Sequence, residues 1–134
     1  IACAMDIVLD TSALLAVIVG EPERDRIVAL TAGHTLIGPA AIPWEVGNAF
    51  SAMLKQRRLT LADAREGLRI FQAIPIRYVK VDLAAALDLT WKTGLYAYDA
   101  YFLDCAARHA APLLTLDRGL QHAAKKIGLK WLEA

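Results

Sequence analysis

Four carboxylates stand where this sequence could do chemistry. Asp10 follows the apolar run Ile7-Val8-Leu9, Glu45 lies in Pro43-Trp44-Glu45-Val46, Asp99 precedes Ala100-Tyr101-Phe102-Leu103, and Asp117 closes Leu113-Leu114-Thr115-Leu116. Each is bordered by apolar residues or a strand end, unlike solvated surface acids. In a parallel sheet, strand C-termini and helix N-termini share one edge, so acids at such junctions converge although remote in sequence. Carboxylates brought together raise one another's pKa unless protons or cations intervene. Hard oxygen donors without a His or Cys cluster point to Mg²⁺ or Mn²⁺ rather than zinc. Ions held this way activate a water and stabilise the attacking and leaving oxygens of an in-line phosphoryl displacement, so hydrolysis of a phosphodiester is the expected reaction. Thr11, Ser12 and Thr115 offer hydroxyls that orient carboxylates or waters, and Asn48, one turn after Glu45, offers an amide. Each acid also has a purely structural reading. Asp10 and Asp99 suit helix caps, Glu45 a first-turn acid, and Asp117 a turn before Arg118-Gly119.

The elements that must position these residues alternate. Ile7 to Leu9 reads as a buried strand that delivers Asp10 to a sheet edge, and Ala13 to Val19 as a short helix closed by Gly20. Pro22 opens a helix over Glu23 to Thr31, and Gly33 ends it. Thr35 to Ile37 is a short strand, with Gly38-Pro39 and Pro43 expected to form a tight connection. The helix Trp44 to Arg58 carries Glu45, Asn48 and Ala52 on one face and Val46, Phe50, Met53 and Leu54 on others. Thr60 caps Leu61 to Ala73, Pro75 stops it, Ile76 to Val81 alternates as a half-buried strand, and Asp82 caps Leu83 to Lys92. After Gly94 comes the most apolar helix, Asp99 to His109. A strand from Leu113 to Leu116, a basic helix from Gly119 to Ile127 and a last strand from Leu129 to Trp131 complete the chain. Strands entering singly between helices predict a three-layer α/β/α sandwich around a mainly parallel sheet.

A chain of 134 residues with 57% hydrophobic content suits one domain over residues 5–134, and residues 1–4 read as a cloning remnant or upstream leader ahead of Met5. No apolar run reaches the roughly 18–20 residues of a membrane span. Cys3 and Cys105 form neither a disulfide framework nor a CxxC motif, which fits a reducing cytoplasm. Net charge is only +1, but with four of the 14 acidic residues drawn into one site, ten remain against 15 basic ones. Such a surface around an acidic pit suits a polyanion. Asp104 lies about 140° round the helix from Asp99 and is explained by an i,i+4 pair with Arg108. His34, His109 and His122 read as structural or surface residues. Trp44, Trp91, Tyr96, Tyr98 and Tyr101 read as core or interface, with Tyr96 and Tyr98 near enough to Asp99 to rim a site. The absence of GxxxxGK[ST] and GxGxxG removes nucleoside-triphosphate and dinucleotide readings.

The motifs Ile7-Val8-Leu9-Asp10-Thr11-Ser12-Ala13, Pro43-Trp44-Glu45-Val46, Tyr98-Asp99-Ala100-Tyr101-Phe102-Leu103 and Leu114-Thr115-Leu116-Asp117 together resemble a PIN-domain ribonuclease. More narrowly, they resemble the VapC toxin of a VapBC toxin–antitoxin pair, from Met5 to the C-terminus. The resemblance implies a Mg²⁺- or Mn²⁺-dependent endoribonuclease, commonly dimeric, inhibited by a VapB antitoxin whose C-terminal segment fills the active-site groove. Any DNA contact would come only through the antitoxin. By motif, Asp10 and Asp99 carry over as principal metal ligands, with Glu45 and Asp117 completing the site and Thr11, Asn48 and Thr115 supporting it. Gly119 departs from the pattern where many relatives have a further acid. A phospho-accepting receiver domain shares the size and the clustered acids, but Thr115 to Asp117 lacks the Lys it would need. A catalytically idle PIN-like binding module is the other rival, and the complete quartet argues against it.

Overall fold

The computed structural model describes residues 4–134. Cys3 and all but the last residue of the expected leader lie outside them. The described chain runs β1 (Asp6–Leu9), α1 (Thr11–Val19), α2 (Arg24–Thr31), β2 (Thr35–Pro39), α3 (Ile42–Lys55), α4 (Leu61–Ala73), β3 (Ile76–Val79), α5 (Leu83–Thr93), α6 (Ala97–Arg108), β4 (Leu113–Leu114), α7 (Arg118–Lys126) and β5 (Trp131–Leu132).

Ile7, Val8 and Leu9 have no polar alternation because β1 is covered on both faces, the usual condition of a central parallel strand. The five strands are ordered β3-β2-β1-β4-β5, and every pairing is parallel. Helices fall into two groups, as the α/β sandwich requires. α5 and α6 pack on each other, with α6 against β1, β2 and β4, while α1 contacts α2, α3 and α4. Phe102, Leu103, Leu14, Ile37 and Ile42 are among the largest fully buried side chains between them. Connections leave β1 toward β2 on one side and arrive at β4 on the other, so the order reverses beside β1. Outside the strand C-termini at such a reversal, an open α/β sheet has its natural crevice. The order also differs from the 2-1-3-4-5 of receiver domains, which removes that rival.

Three element boundaries differ from the sequence reading in ways that matter. Gly38-Pro39 does not break β2; these residues pair with Tyr78 and Val79 of β3, after pairing with β1 has ended at Ile37. Pro39 is therefore in a stretch paired on one side only, where a missing N–H is tolerated. β4 stops at Leu114, because Thr115 turns its hydroxyl into the site and the backbone bends toward α7. α6 begins at Ala97 with Tyr96 at its N-cap, so Asp99 sits in the first turn and is not a cap.

Two helical glycines give a test of the packing. A Cβ at Gly67 of α4 would come 2.7 Å from Phe50 Cζ and 3.3 Å from Ile18 Cγ2, whereas Gly47 of α3 faces open space. Helix propensity favours Ala by about 1 kcal/mol at both. Overpacking against the buried Phe50 costs about 1–3 kcal/mol and outweighs that gain at Gly67. Gly67→Ala is expected to lower the Tm and Gly47→Ala to raise it, as read by thermal melts.

Candidate active site

Asp10 is delivered by β1 to the crevice and then turns α1 inward. Its Oδ1 accepts from the Ala13 amide at 3.0 Å and from Ser12 Oγ at 2.8 Å, and its Oδ2 accepts from Thr115 Oγ1. The capping role is thus real, but it occupies only one oxygen of a carboxylate that is 5% exposed. Burial pushes Asp10 up to about 6 despite these bonds, with a small further rise from Asp117. The β4 side is tied in reciprocally. Leu116 N donates to Ser12 Oγ, Asp117 N donates to Thr115 Oγ1, and Gln121 Nε2 holds the Thr115 carbonyl at 2.8 Å. Ser12 and Gln121 therefore do more than the sequence reading assigned them. Gln121 stands four residues after Asp117 on α7, a spacing that could have flagged it.

Glu45 lies in the first turn of α3, where the helix dipole favours a negative charge. Burial nevertheless pushes it up to about 7, and Asp99 and then Asp10 add to the rise. Thr11 lies close enough to lower it slightly, yet neither Thr11 Oγ1 nor Glu45 Oε2 makes a hydrogen bond of normal geometry among the described residues. A buried carboxylate oxygen without a partner calls for an explanation. Asp99, in the first turn of α6, is raised by burial and then by Asp117. Asp117 is exposed and caps α7 by accepting from Leu120 N at 2.9 Å.

A cleft of about 340 Å³ is lined by Thr11, Trp44, Glu45, Asn48, Ala49 and Tyr98. Asn48 thus shares the cleft with Glu45, though its side chain makes no hydrogen bond among the described residues. The four acids occupy one sheet edge, each in electrostatic contact with at least one other. They do not close into a cage. Among the described residues, no three His, Cys, Asp or Glu side chains converge tightly enough to enclose an ion. The fit to a divalent cation is chemical: an all-oxygen donor set, burial and then mutual repulsion raising three carboxyl pKa values, and the unpartnered Glu45 Oε2.

Other residues fall elsewhere. Asp104 is buried and accepts from the Asp82 amide at 3.0 Å, with Arg108 Nε more distant at 3.5 Å, so it fastens α6 to the start of α5. His34 Nδ1 accepts from Met5 N, and His122 is exposed. Of the core-or-interface reading of the aromatics, the core half fails for Trp44, Trp91, Tyr96 and Tyr98, which are 75%, 90%, 87% and 56% exposed, while Tyr98 does rim the cleft. Composition carries no information on which ring faces solvent.

The model of the PIN domain family matches residues 7–126, a span that includes all four acids. The chain belongs to the PIN-domain family. PIN domains are nucleases. This PIN domain is similar in fold to the crystal structure of PAE2754 from Pyrobaculum aerophilum, at 23% identity and a TM-score of 0.71, over 90% of this chain and 87% of that one. It is also similar to VapBC2 from Rickettsia felis bound to a DNA fragment from their promoter, at 18% identity and a TM-score of 0.65, over 96% and 98% of the two chains. A toxin-antitoxin complex from Klebsiella pneumoniae matches at 18% identity and a TM-score of 0.57, over 83% and 86%. No curated protein matches the chain. Among the described residues, no helix is long and apolar enough to cross a membrane.

Proposed function

We propose that this PIN domain is a Mg²⁺- or Mn²⁺-dependent endoribonuclease acting in the cytoplasm as the toxin of a VapBC-type toxin–antitoxin pair. The observation that carries the reading is the coupled acidic edge: Asp10, Glu45, Asp99 and Asp117 at the reversal of strand order, with Glu45 Oε2 unpartnered. The fold likeness to toxin-antitoxin complexes supports the toxin role and an antitoxin partner. Exposed Leu87 and Trp91 on α5 offer an apolar face to a homodimer.

Asp10, Glu45, Asp99 and Asp117 would hold the cation, which when bound supplies Lewis-acid activation of water and neutralises charge on the phosphate. The chain's own groups prepare for this. Ser12, Thr115 and the Ala13 amide fix the Asp10 carboxylate in one orientation. Burial, Asp99 and Asp10 favour the protonated form of Glu45, and positive charge in the cleft would favour release of that proton. Trp44 and Tyr98 at the cleft wall place aromatic surface beside the reacting phosphate, where an RNA strand can lie against it.

Cleavage of total RNA in MgCl₂ or MnCl₂, with sequencing of the new ends, tests the reading. Wild-type protein is expected to cut, chelator to stop it, and Asp99→Asn to lose at least about 100-fold in rate while keeping the wild-type circular dichroism spectrum. A folded Asp99→Asn protein that cuts as fast as wild type defeats the assignment. Wild-type protein that never cuts leaves the idle binding module as the better account.

A further inference from the structure

Beside the acidic cleft lies a second cavity of about 330 Å³ that the catalytic reading does not use. Its lining includes Pro39, Ala41, Tyr78, Lys80, Leu83 and Tyr101. The two cavities adjoin through two elements. Tyr98 lines the first and Tyr101 the second, and their rings meet edge to face with centroids 5.6 Å apart. The start of α3 likewise contributes Ala41 to the second and Trp44 and Glu45 to the first. Gly38 stands beside Tyr78 across the β2–β3 ladder, and Ile42 of α3 fills the space that a side chain at Gly38 would take. Lys80 is exposed at the rim and has no ion-pair partner among the described residues.

We propose that this slot is a subsite for an unstacked nucleobase of the RNA strand whose scissile phosphate lies over the acidic cleft, with Lys80 contacting a flanking phosphate. The proposal rests on the nuclease reading and adds to it a place beside the acidic cleft, between Tyr78 and Tyr101, where one base of the strand is held. The volume is at the low end for cavities that take a small ligand, about 300–1,000 Å³, and its walls are apolar apart from two tyrosine hydroxyls and one cation. A planar base needs aromatic and apolar walls, and the phosphate beside it needs a positive charge. Bases in a duplex are stacked on both faces and cannot enter, whereas bases in loops and single strands can. A protein side chain would use the apolar walls but leave the unpaired Lys80 and the continuity with the acidic cleft unexplained.

The test measures binding by fluorescence anisotropy with a fluorescein-labelled RNA decamer, single-stranded or annealed to its complement. It uses Asp10→Asn protein in MgCl₂, so that the RNA survives. The single strand is expected to bind at least about tenfold tighter than the duplex. Tyr78→Ala should weaken single-strand binding by about 5- to 100-fold, the range for losing one base stack, with Tyr78→Trp restoring it. Lys80→Ala should weaken it and reduce the salt slope by about one. The Tyr78 and Lys80 variants are checked for a Tm unchanged from that of Asp10→Asn protein, and Tyr78 on edge strand β3 is exposed enough to be replaced without unfolding. Equal affinity for single strand and duplex, or unchanged affinity in both Tyr78→Ala and Lys80→Ala, overturns the subsite. If wild-type protein still cleaves RNA in that case, the nuclease reading stands alone. If wild-type protein does not cleave while Tyr78→Ala still loses binding, the nuclease reading fails and the slot remains.

Discussion

Asp10→Asn is expected to abolish RNA cleavage, by at least about 100-fold, and at the same time to raise the Tm of the metal-free protein at pH 8 by ~3 °C or more. The two effects have one cause. The Asp10 carboxylate is buried and pushed up to about 6, so at pH 8 the fold carries a charge that its surroundings disfavour. A rise of that size corresponds to about 3 kcal/mol of differential interaction, held against folding for as long as no cation faces the group. Asparagine removes the charge but keeps an acceptor for the Ala13 amide and Ser12, and it is as good an N-cap as aspartate. Its NH₂ can donate to Thr115 Oγ1, which then turns its own proton elsewhere. Asp10→Ala separates the roles. It too removes the charge, but it loses the cap and leaves Thr115 and Ser12 without their acceptor, so it should melt below Asp10→Asn by about 1–2 kcal/mol. Differential scanning calorimetry in chelator, paired with a cleavage assay, reads both quantities. A variant that is both inactive and strongly destabilised would mean that Asp10 serves the fold, and active Asp10→Asn protein would remove it from the site.

Much of this could be read from the residue order, for identifiable reasons. Asp10, Thr60, Asp82 and Asp117 all cap helices, as the sequence suggested for Thr60 and Asp82 and allowed for Asp10, because a short polar side chain before an apolar periodic run has few other local uses; Asp117, read as a turn residue, is a fourth cap. The Ile7-Val8-Leu9 run announced a strand buried on both faces, and Gly20 and Gly94 ended their helices with φ of 74°. Gly38-Pro39 misled because local turn chemistry was overridden by pairing with β3, a partner some forty residues away. Leu113 to Leu116 misled for the opposite reason. Thr115 has β propensity, but its hydroxyl is needed at Asp10, and that tertiary bond ends the ladder two residues early. The acidic edge was legible as a set of junctions, whereas its internal asymmetry was not. That Asp10 is sealed while Asp117 faces solvent, and that Glu45 lacks a partner, depends on side-chain packing that spacing does not encode.

That asymmetry has a second consequence, in the pH dependence of stability. Asp10 at about 6, Glu45 at about 7 and Asp99, also raised, all hold protons in the folded state above the pH at which an unfolded chain, with carboxyls near 3.8 and 4.5, has released them. The folded state therefore binds more protons from about pH 4 to about pH 8, and where the native state binds more, stability falls as pH rises. In chelator the Tm is expected to be higher at pH 5 than at pH 8, with the fall continuing through pH 7, where Glu45 loses its proton. Asp82, lowered by its cap bond to Ala85 and by Arg108, works in the other direction, but only below the ordinary aspartate pKa. A divalent cation inverts the trend. Coordination needs ionised carboxylates, so MgCl₂ or MnCl₂ should raise the Tm strongly at pH 8, by an amount equivalent to about 3 kcal/mol at 100 times the dissociation constant, and hardly at pH 5. Binding at pH 7 should also release protons, which calorimetry in two buffers of different ionisation enthalpy would count. A Tm that is flat from pH 5 to 8 in chelator and indifferent to either metal would show that these acids are neither strained nor waiting for a cation, and the nuclease reading would lose its physical basis.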